Sequence, residues 1–130
     1  MRKHSMLGKK KKHDPSAYKD HSFIGTQTRL VGDVFFSGAL HVEGRIEGNL
    51  RADEGCLNLH GEVRGDIDVP HAIINGVVHG NITCLQHLEL APGARVHGVV
   101  TYVSMEMALG AQVNGQLQPA EASVTAVTTP

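Results

Sequence analysis

Six times between residues 30 and 117 the chain repeats one short phrase, apolar–x–Gly–x–apolar. It reads Leu30-Val31-Gly32-Asp33-Val34, Ile46-Glu47-Gly48-Asn49-Leu50 and Val63-Arg64-Gly65-Asp66-Ile67. It continues as Val78-His79-Gly80-Asn81-Ile82, Val96-His97-Gly98-Val99-Val100 and Val113-Asn114-Gly115-Gln116-Leu117. The glycines are 16, 17, 15, 18 and 17 residues apart. A unit this short cannot close a core around itself, so its apolar face must be covered by the units before and after it.

Within each unit the alternation is two-fold. Val42-Glu43-Gly44-Arg45-Ile46-Glu47-Gly48-Asn49-Leu50 places apolar or glycine residues at every second position for nine residues. Period two means extended chain with one face buried. Residues 59–67 and 74–82 repeat the block, and each unit adds a further apolar pair, as in Leu40 with Val42 and Leu88 with Leu90. A helical repeat needs about 33 residues, whereas about 17 suffice for three short strands and three bends. One unit is therefore one coil of an all-β solenoid, each coil pairing in parallel with the next at about 4.8 Å. Aromatic residues are only 4% of the chain and Trp is absent, so the interior is a thin stack of aliphatic side chains. The recurring glycines, Gly32, Gly44, Gly48, Gly61, Gly65, Gly76, Gly80, Gly98 and Gly115, are assigned to corners, where a missing side chain and access to positive φ let the chain turn.

The solenoid spans residues 23–117. Residues 1–22 form a basic arm of net charge +5 and residues 118–130 a small, polar tail, both expected to be disordered. The remainder of the chain has a net charge of −6, and an arm of opposite sign to its body implies a partner of its own. Cys56 and Cys84 form no CxxC and, 28 residues apart, do not stack; they are expected to be reduced core residues in a cytosolic protein.

In a stack of coils, equivalent residues form columns. The residue before the recurring glycine runs Val31, Glu47, Arg64, His79, His97, Asn114, which predicts a Glu47–Arg64 ladder pair, with Arg45–Glu62 in a second column. The residue after it runs Asp33, Asn49, Asp66, Asn81, Val99, Gln116, where amides separate like charges. These columns are expected to control register. Of nine histidines, His79 and His97 share a column and are expected to stack, while a flat ladder is not expected to bring three or four metal ligands together. His4, His13 and His21 fall in the arm. No P-loop, GxSxG or HExxH occurs, so no catalytic residue, metal, nucleotide or other cofactor is assigned. The enzymatic alternative, an acyltransferase-like solenoid, requires an apolar–Gly phrase every six residues. The G-x-x-x-G pairs 44/48, 61/65 and 76/80 and the wavering period disfavour it.

The repeat zone resembles the bactofilin family of bacterial cytoskeletal proteins. The resemblance rests on Phe23-Ile24-Gly25-Thr26, on Leu40-His41-Val42-Glu43-Gly44-Arg45-Ile46-Glu47-Gly48-Asn49-Leu50 and on Gly61-Glu62-Val63-Arg64-Gly65-Asp66-Ile67. It implies a right-handed β-helix of about six triangular coils, assembling end to end into nonpolar filaments without nucleotide. It also implies a scaffold for cell shape and for placing cell-wall hydrolases or synthases. The residues supply a physical reason for assembly. A solenoid ends in open strand edges and an exposed core section unless capped, and no capping helix is apparent here. The first coil presents Phe23, Ile24, Leu30, Val34 and Phe36, and the last presents Met105, Met107, Leu109, Val113 and Leu117. Val113 is smaller than the apolar tip residue common in the family.

Met6-Leu7-Gly8-Lys9-Lys10-Lys11-Lys12 resembles the family's N-terminal membrane-binding motif. Met6 and Leu7 would insert, and each of Lys9, Lys10, Lys11 and Lys12 would add about 1 kcal/mol at an anionic leaflet. The expected location is the inner face of the cytoplasmic membrane, with a nucleic acid the weaker alternative partner for the arm. Met6 is an alternative start to Met1.

Overall fold

The computed structural model describes residues 20–120. Sixteen parallel strands and no helix occur among them. Coil 1 holds β1 (His21–Ile24), β2 (Arg29–Val31) and β3 (Val34–Phe35). Coil 2 holds β4 (Gly38–Val42), β5 (Arg45–Glu47) and β6 (Leu50–Arg51), and coil 3 holds β7 (Gly55–Leu59), β8 (Glu62–Arg64) and β9 (Ile67–Asp68). Coil 4 holds β10 (His71–Ile74), β11 (Val77–His79) and β12 (Ile82–Cys84). In coil 5, β13 (His87–Leu90) is followed by the long β14 (Arg95–Tyr102), and in coil 6, β15 (Met105–Met107) by the long β16 (Gln112–Pro119).

The strands stack in three ladders. The first runs β1-β4-β7-β10-β13-β15. The second and third meet at β14, which runs continuously through Gly98 and pairs with β11, β12 and β16. The expected six-coil solenoid is therefore the fold. Its strands reach slightly beyond the expected limits of the repeat zone: His21 and Ser22 belong to β1, and Gln118 and Pro119 to β16. Asp20 and Ala120 flank these strands, and residues 1–19 and 121–130 lie outside the described residues.

Inside, like stacks on like. Ile46, Val63, Val78 and Val96 form one internal column, and Leu50, Ile67, Ile82 and Val100 another; all are essentially inaccessible. Leu40, Leu57, Ala72 and Leu88 form a third. Aromatic packing is confined to the ends of the stack, Phe36 at one and Tyr102 towards the other. Parallel strands buried against such columns lock the register, because a slip of one residue would turn every aliphatic group outwards.

Turn length accounts for part of the uneven period. Between the first and second ladders, coils 2, 3 and 4 turn in two residues: 43–44, 60–61 and 75–76. Coils 1, 5 and 6 use four, 25–28, 91–94 and 108–111. Each longer turn closes with a backbone bond from its fourth N–H to its first carbonyl, at 3.0, 2.9 and 3.1 Å.

The glycine columns carry more than the corner role assigned from sequence. A Cβ on Gly65 would collide with the carbonyl oxygen of Gly48 on the preceding coil, and one on Gly80 with that of Gly65. Gly48, Gly98 and Gly115 meet the same obstacle. Gly65 also has φ +154°, which side-chain-bearing residues rarely adopt. At Gly44, Gly61 and Gly76 φ is not positive and the carbonyl collision alone demands glycine. Gly32 differs: φ is +128°, but nothing lies within 4 Å of its would-be Cβ.

This contrast is testable. Gly65→Val should cost about 2–4 kcal/mol through collision and strain. Gly32→Ala, with strain alone, should cost about 1 kcal/mol. Equal chemical-denaturation midpoints for the two variants would refute the axial-contact explanation.

Candidate functional site

The sides of the solenoid are occupied with holding the coils together. Arg29 grips Glu47 on the next coil through two bonds, Nε to Oε2 at 2.9 Å and Nη2 to Oε1 at 3.0 Å. Arg45 lies 3.8 Å from Glu47 and 3.5 Å from Glu62, and Arg64 donates to Glu62 at 2.9 Å. Glu47 and Arg64 are register partners as expected, but Arg64 turns to Glu62 on its own strand. The diagonal choice resolves a conflict. Arg29 and Arg45 are register partners of like charge, and Glu47 interacts with both. The Arg29 hydrogen bond holds the Glu47 carboxyl below the usual carboxylate range, and the Arg64 bond does the same for Glu62.

The column after the recurring glycine performs a task its sequence did not disclose. Asp33 Oδ1 accepts the backbone N–H of Asn49 at 3.1 Å, and Asn49 Oδ1 that of Asp66 at 2.9 Å. Asp66 serves Asn81 at 3.0 Å, and Asn81 serves Val99 at 3.0 Å. Each short side chain thus satisfies the corner N–H of the coil above it. The signal was present as Asp or Asn in each of the first four coils, the residue types that bond to nearby backbone.

His79 and His97 stack as expected, with centroids 5.0 Å apart and planes 6° from parallel. His21, assigned to the arm without geometry, instead lies in β1 and stacks on His41 at 5.6 Å. Burial, reinforced by His21 and His60, lowers the His41 pKa. Cys56 and Cys84 are buried thiols in different columns. Burial pushes the Cys84 thiol up to about 12 while it donates to the carbonyls of His87 and Pro70. A thiol so disfavoured as thiolate is a packing group. An open cleft at the third corner is lined by Phe35, Phe36, Ser37, Asp53 and Glu54, with both acids exposed.

The ends are different in kind. Phe23, Val31 and Phe35 on coil 1 are 64%, 68% and 71% exposed, and Met107, Leu109 and Leu117 on coil 6 are 45%, 96% and 39% exposed. Of the large exposed apolar residues, the only others described are Leu85 and Val103, at one corner of coils 4 and 5. Of the residues assigned to the ends from sequence, Ile24, Leu30, Val34 and Phe36 are half-buried at the first end, and Met105 and Val113 at the last. They pack on the terminal cross-section of the core and continue its columns. Sequence reasoning chose Phe36 and missed Phe35 and Val31; the alternation assigns those two outwards. Met6, Leu7, Lys9, Lys10, Lys11 and Lys12 lie outside the described residues. No helix among the described residues is long and apolar enough to cross a membrane.

A stack with self-satisfied sides and apolar, open ends is a structural solenoid. The comparisons place it further. A family profile described as "Bactofilin: Polymer-forming cytoskeletal" matches residues 22–118. The chain belongs to the bactofilin family, which is cytoskeletal and polymer-forming and not enzymatic. It is similar to Bactofilin BacP of Myxococcus xanthus (strain DK1622), with 28% identity over 129 residues, covering 88% of this chain and 54% of BacP. The chain thus spans about half the length of that curated relative. No solved structure matches it significantly.

The titrating groups of the two sides make stability fall with acidity in two stages. A depressed folded-state pKa stabilises above the ordinary value and is lost as pH falls through the folded one. His41 should act below its ordinary 6.5, and Glu47 and Glu62 below 4.5. Both carboxylates are well solvated, so their stage is small. Thermal melts against pH should show His41→Asn abolishing the first stage and the Glu47→Gln/Glu62→Gln pair flattening the second.

Proposed function

We propose that this chain polymerises end to end, like tip on like tip, into filaments without polarity or any need for nucleotide. The observation that carries the reading is the location of exposed apolar side chains at the two ends of the stack. A second copy placed on either end continues the columns of Leu30 and Val34 or of Val113 and Leu117, and shields the open strand edges. Contacts between like ends are two-fold and self-complementary, so alternating N-to-N and C-to-C contacts leave the filament without direction. Gly32 suits such a contact, since the side on which every later glycine of its column meets a carbonyl is open.

Filaments would lie on the inner face of the cytoplasmic membrane, held by the arm. Met6 and Leu7 supply a weak apolar insertion, and Lys9, Lys10, Lys11 and Lys12 the attraction to anionic headgroups. One arm is marginal, but a filament displays many, and the effective concentration of the remaining arms makes attachment stable. On the family resemblance, the scaffold recruits cell-wall hydrolases or synthases, or their membrane adaptors, and so supports cell shape.

Two experiments test this. Val113→Arg and, separately, Leu109→Asp on the fully exposed turn should retain the wild-type β circular dichroism yet form no filaments by negative-stain microscopy. Intact filaments in both variants would overturn end-to-end assembly through the C-terminal tip. Removing residues 1–12 should abolish co-sedimentation with anionic liposomes while filaments persist; equal pelleting with and without them would end the membrane assignment.

A further inference from the structure

On the outer face of the first ladder, apart from the arginine–glutamate network, three side chains that could ligate a metal come together. His87 and Glu89 lie two residues apart on β13 and so share its outward face, and Glu106 on β15 is the register partner of Glu89. One ligand atom from each of the three lies within 4.8 Å of the other two. Sequence reasoning discounted metal on a flat ladder. That argument overlooked the combination of an i, i+2 pair with one residue from the next coil, which sets a triangle of donors on the sheet.

We infer that His87, Glu89 and Glu106 form a binding site for a divalent cation of the zinc class, joining coil 5 to coil 6. Three observations point the same way. The first is electrostatic. Glu89 and Glu106 are like charges directly opposed on adjacent strands, an unfavourable pairing. Elsewhere the molecule removes such conflict with a counter-ion side chain, as Glu47 does between Arg29 and Arg45. Here Arg95 is the only Arg or Lys described in coils 5 and 6, and it is committed to the carbonyls of Ala94 and Gly110 at 2.8 and 2.9 Å. A divalent cation supplies the missing positive charge.

The second observation is orientation. Ser104 Oγ lies 3.0 Å from His87 Nδ1, a hydrogen bond that steers the ring. The other ring nitrogen, Nε2, faces Glu106, 3.9 Å from its Oε2. That separation is slightly longer than two ligands of one tetrahedral ion require, and Glu106 is exposed enough to close it. The third is chemical. One imidazole nitrogen and two carboxylate oxygens suit a borderline ion such as Zn²⁺ better than Mg²⁺ or Ca²⁺, which favour all-oxygen shells. A fourth position stays open to water. Bound metal would fasten the last coil to its neighbour; its effect on filament ends rests on the assembly proposed above, but binding itself does not.

The test is calorimetric titration of the full, EDTA-treated chain with ZnCl₂, alongside thermal melts with and without the metal. The wild type should show one tight equivalent per chain and a higher melting temperature when loaded. Glu106→Gln should lower the affinity at least about tenfold and abolish the metal-induced shift. Its metal-free melting temperature should equal or exceed the wild type's, because the like-charge pair is gone; a merely structural Glu106 would not give this combination. His79→Gln, on the second ladder, should bind as the wild type does. Wild-type affinity in both Glu106→Gln and Glu89→Gln, or only millimolar binding by the unaltered chain, would overturn the site. Calorimetry reads the site in filaments and in single chains alike, so failure here is distinct from failure of end-to-end assembly.

Discussion

Adjacent coils approach along the axis at the spacing of paired strands, about 4.8 Å, and at the recurring glycines this leaves no room for a side-chain carbon between the backbone of one coil and the carbonyl of the last. Gly48, Gly65, Gly80, Gly98 and Gly115 all meet the carbonyl of the preceding glycine in their column. Everything else follows from that approach. The internal columns of Ile46 to Val96 and Leu50 to Val100 can pack only if each coil settles fully on its neighbour. The Asp33–Asn49–Asp66–Asn81 series spans from coil to coil because one short side chain is long enough to bridge that distance. A larger residue at one glycine would push its coil away from the preceding one and loosen both ladders around it.

The same constraint divides the surface into two kinds. Along the sides, many polar groups find their partners within the stack: arginine with glutamate, imidazole with imidazole, carboxamide with backbone N–H. Such sides give the molecule a single register. At the ends the described ladders stop, and several apolar groups of coils 1 and 6 are exposed. On the end-to-end assembly proposed above, the contact that builds the monomer would also be the contact available at its ends. The basic arm is separate in charge and in composition from this body.

Much of this was legible in the residues. The glycine phrase counted the coils, and the two-fold alternation named the internal columns, since burial of one face is a local property of extended chain. The pairing of His79 with His97 followed from the same phase, whereas the exposure of Leu109 on the 108–111 turn did not. What was misread concerned choices between near-equivalent neighbours. Arg64 had Glu47 across the ladder and Glu62 along its own strand, and only the positions of Arg29 and Arg45 decide in favour of Glu62. His21 was assigned to the arm because no glycine phrase precedes coil 1, although β1 pairs with β4 as fully as the later strands do.

By itself, then, the sequence determined the number of coils, the inward and outward faces, and the separation of a basic arm from a stacked body. These are set by period, and period is visible in one dimension. Tertiary structure alone decided which residues of different coils stand opposite one another. Which residues pair between coils depends on corner length, and corners of two to four residues change the sequence spacing between ladder partners. Hence Asp33 reaches Asn49, Glu62 gathers arginines from two coils, and Glu106, 17 residues beyond Glu89, comes to stand directly across from it.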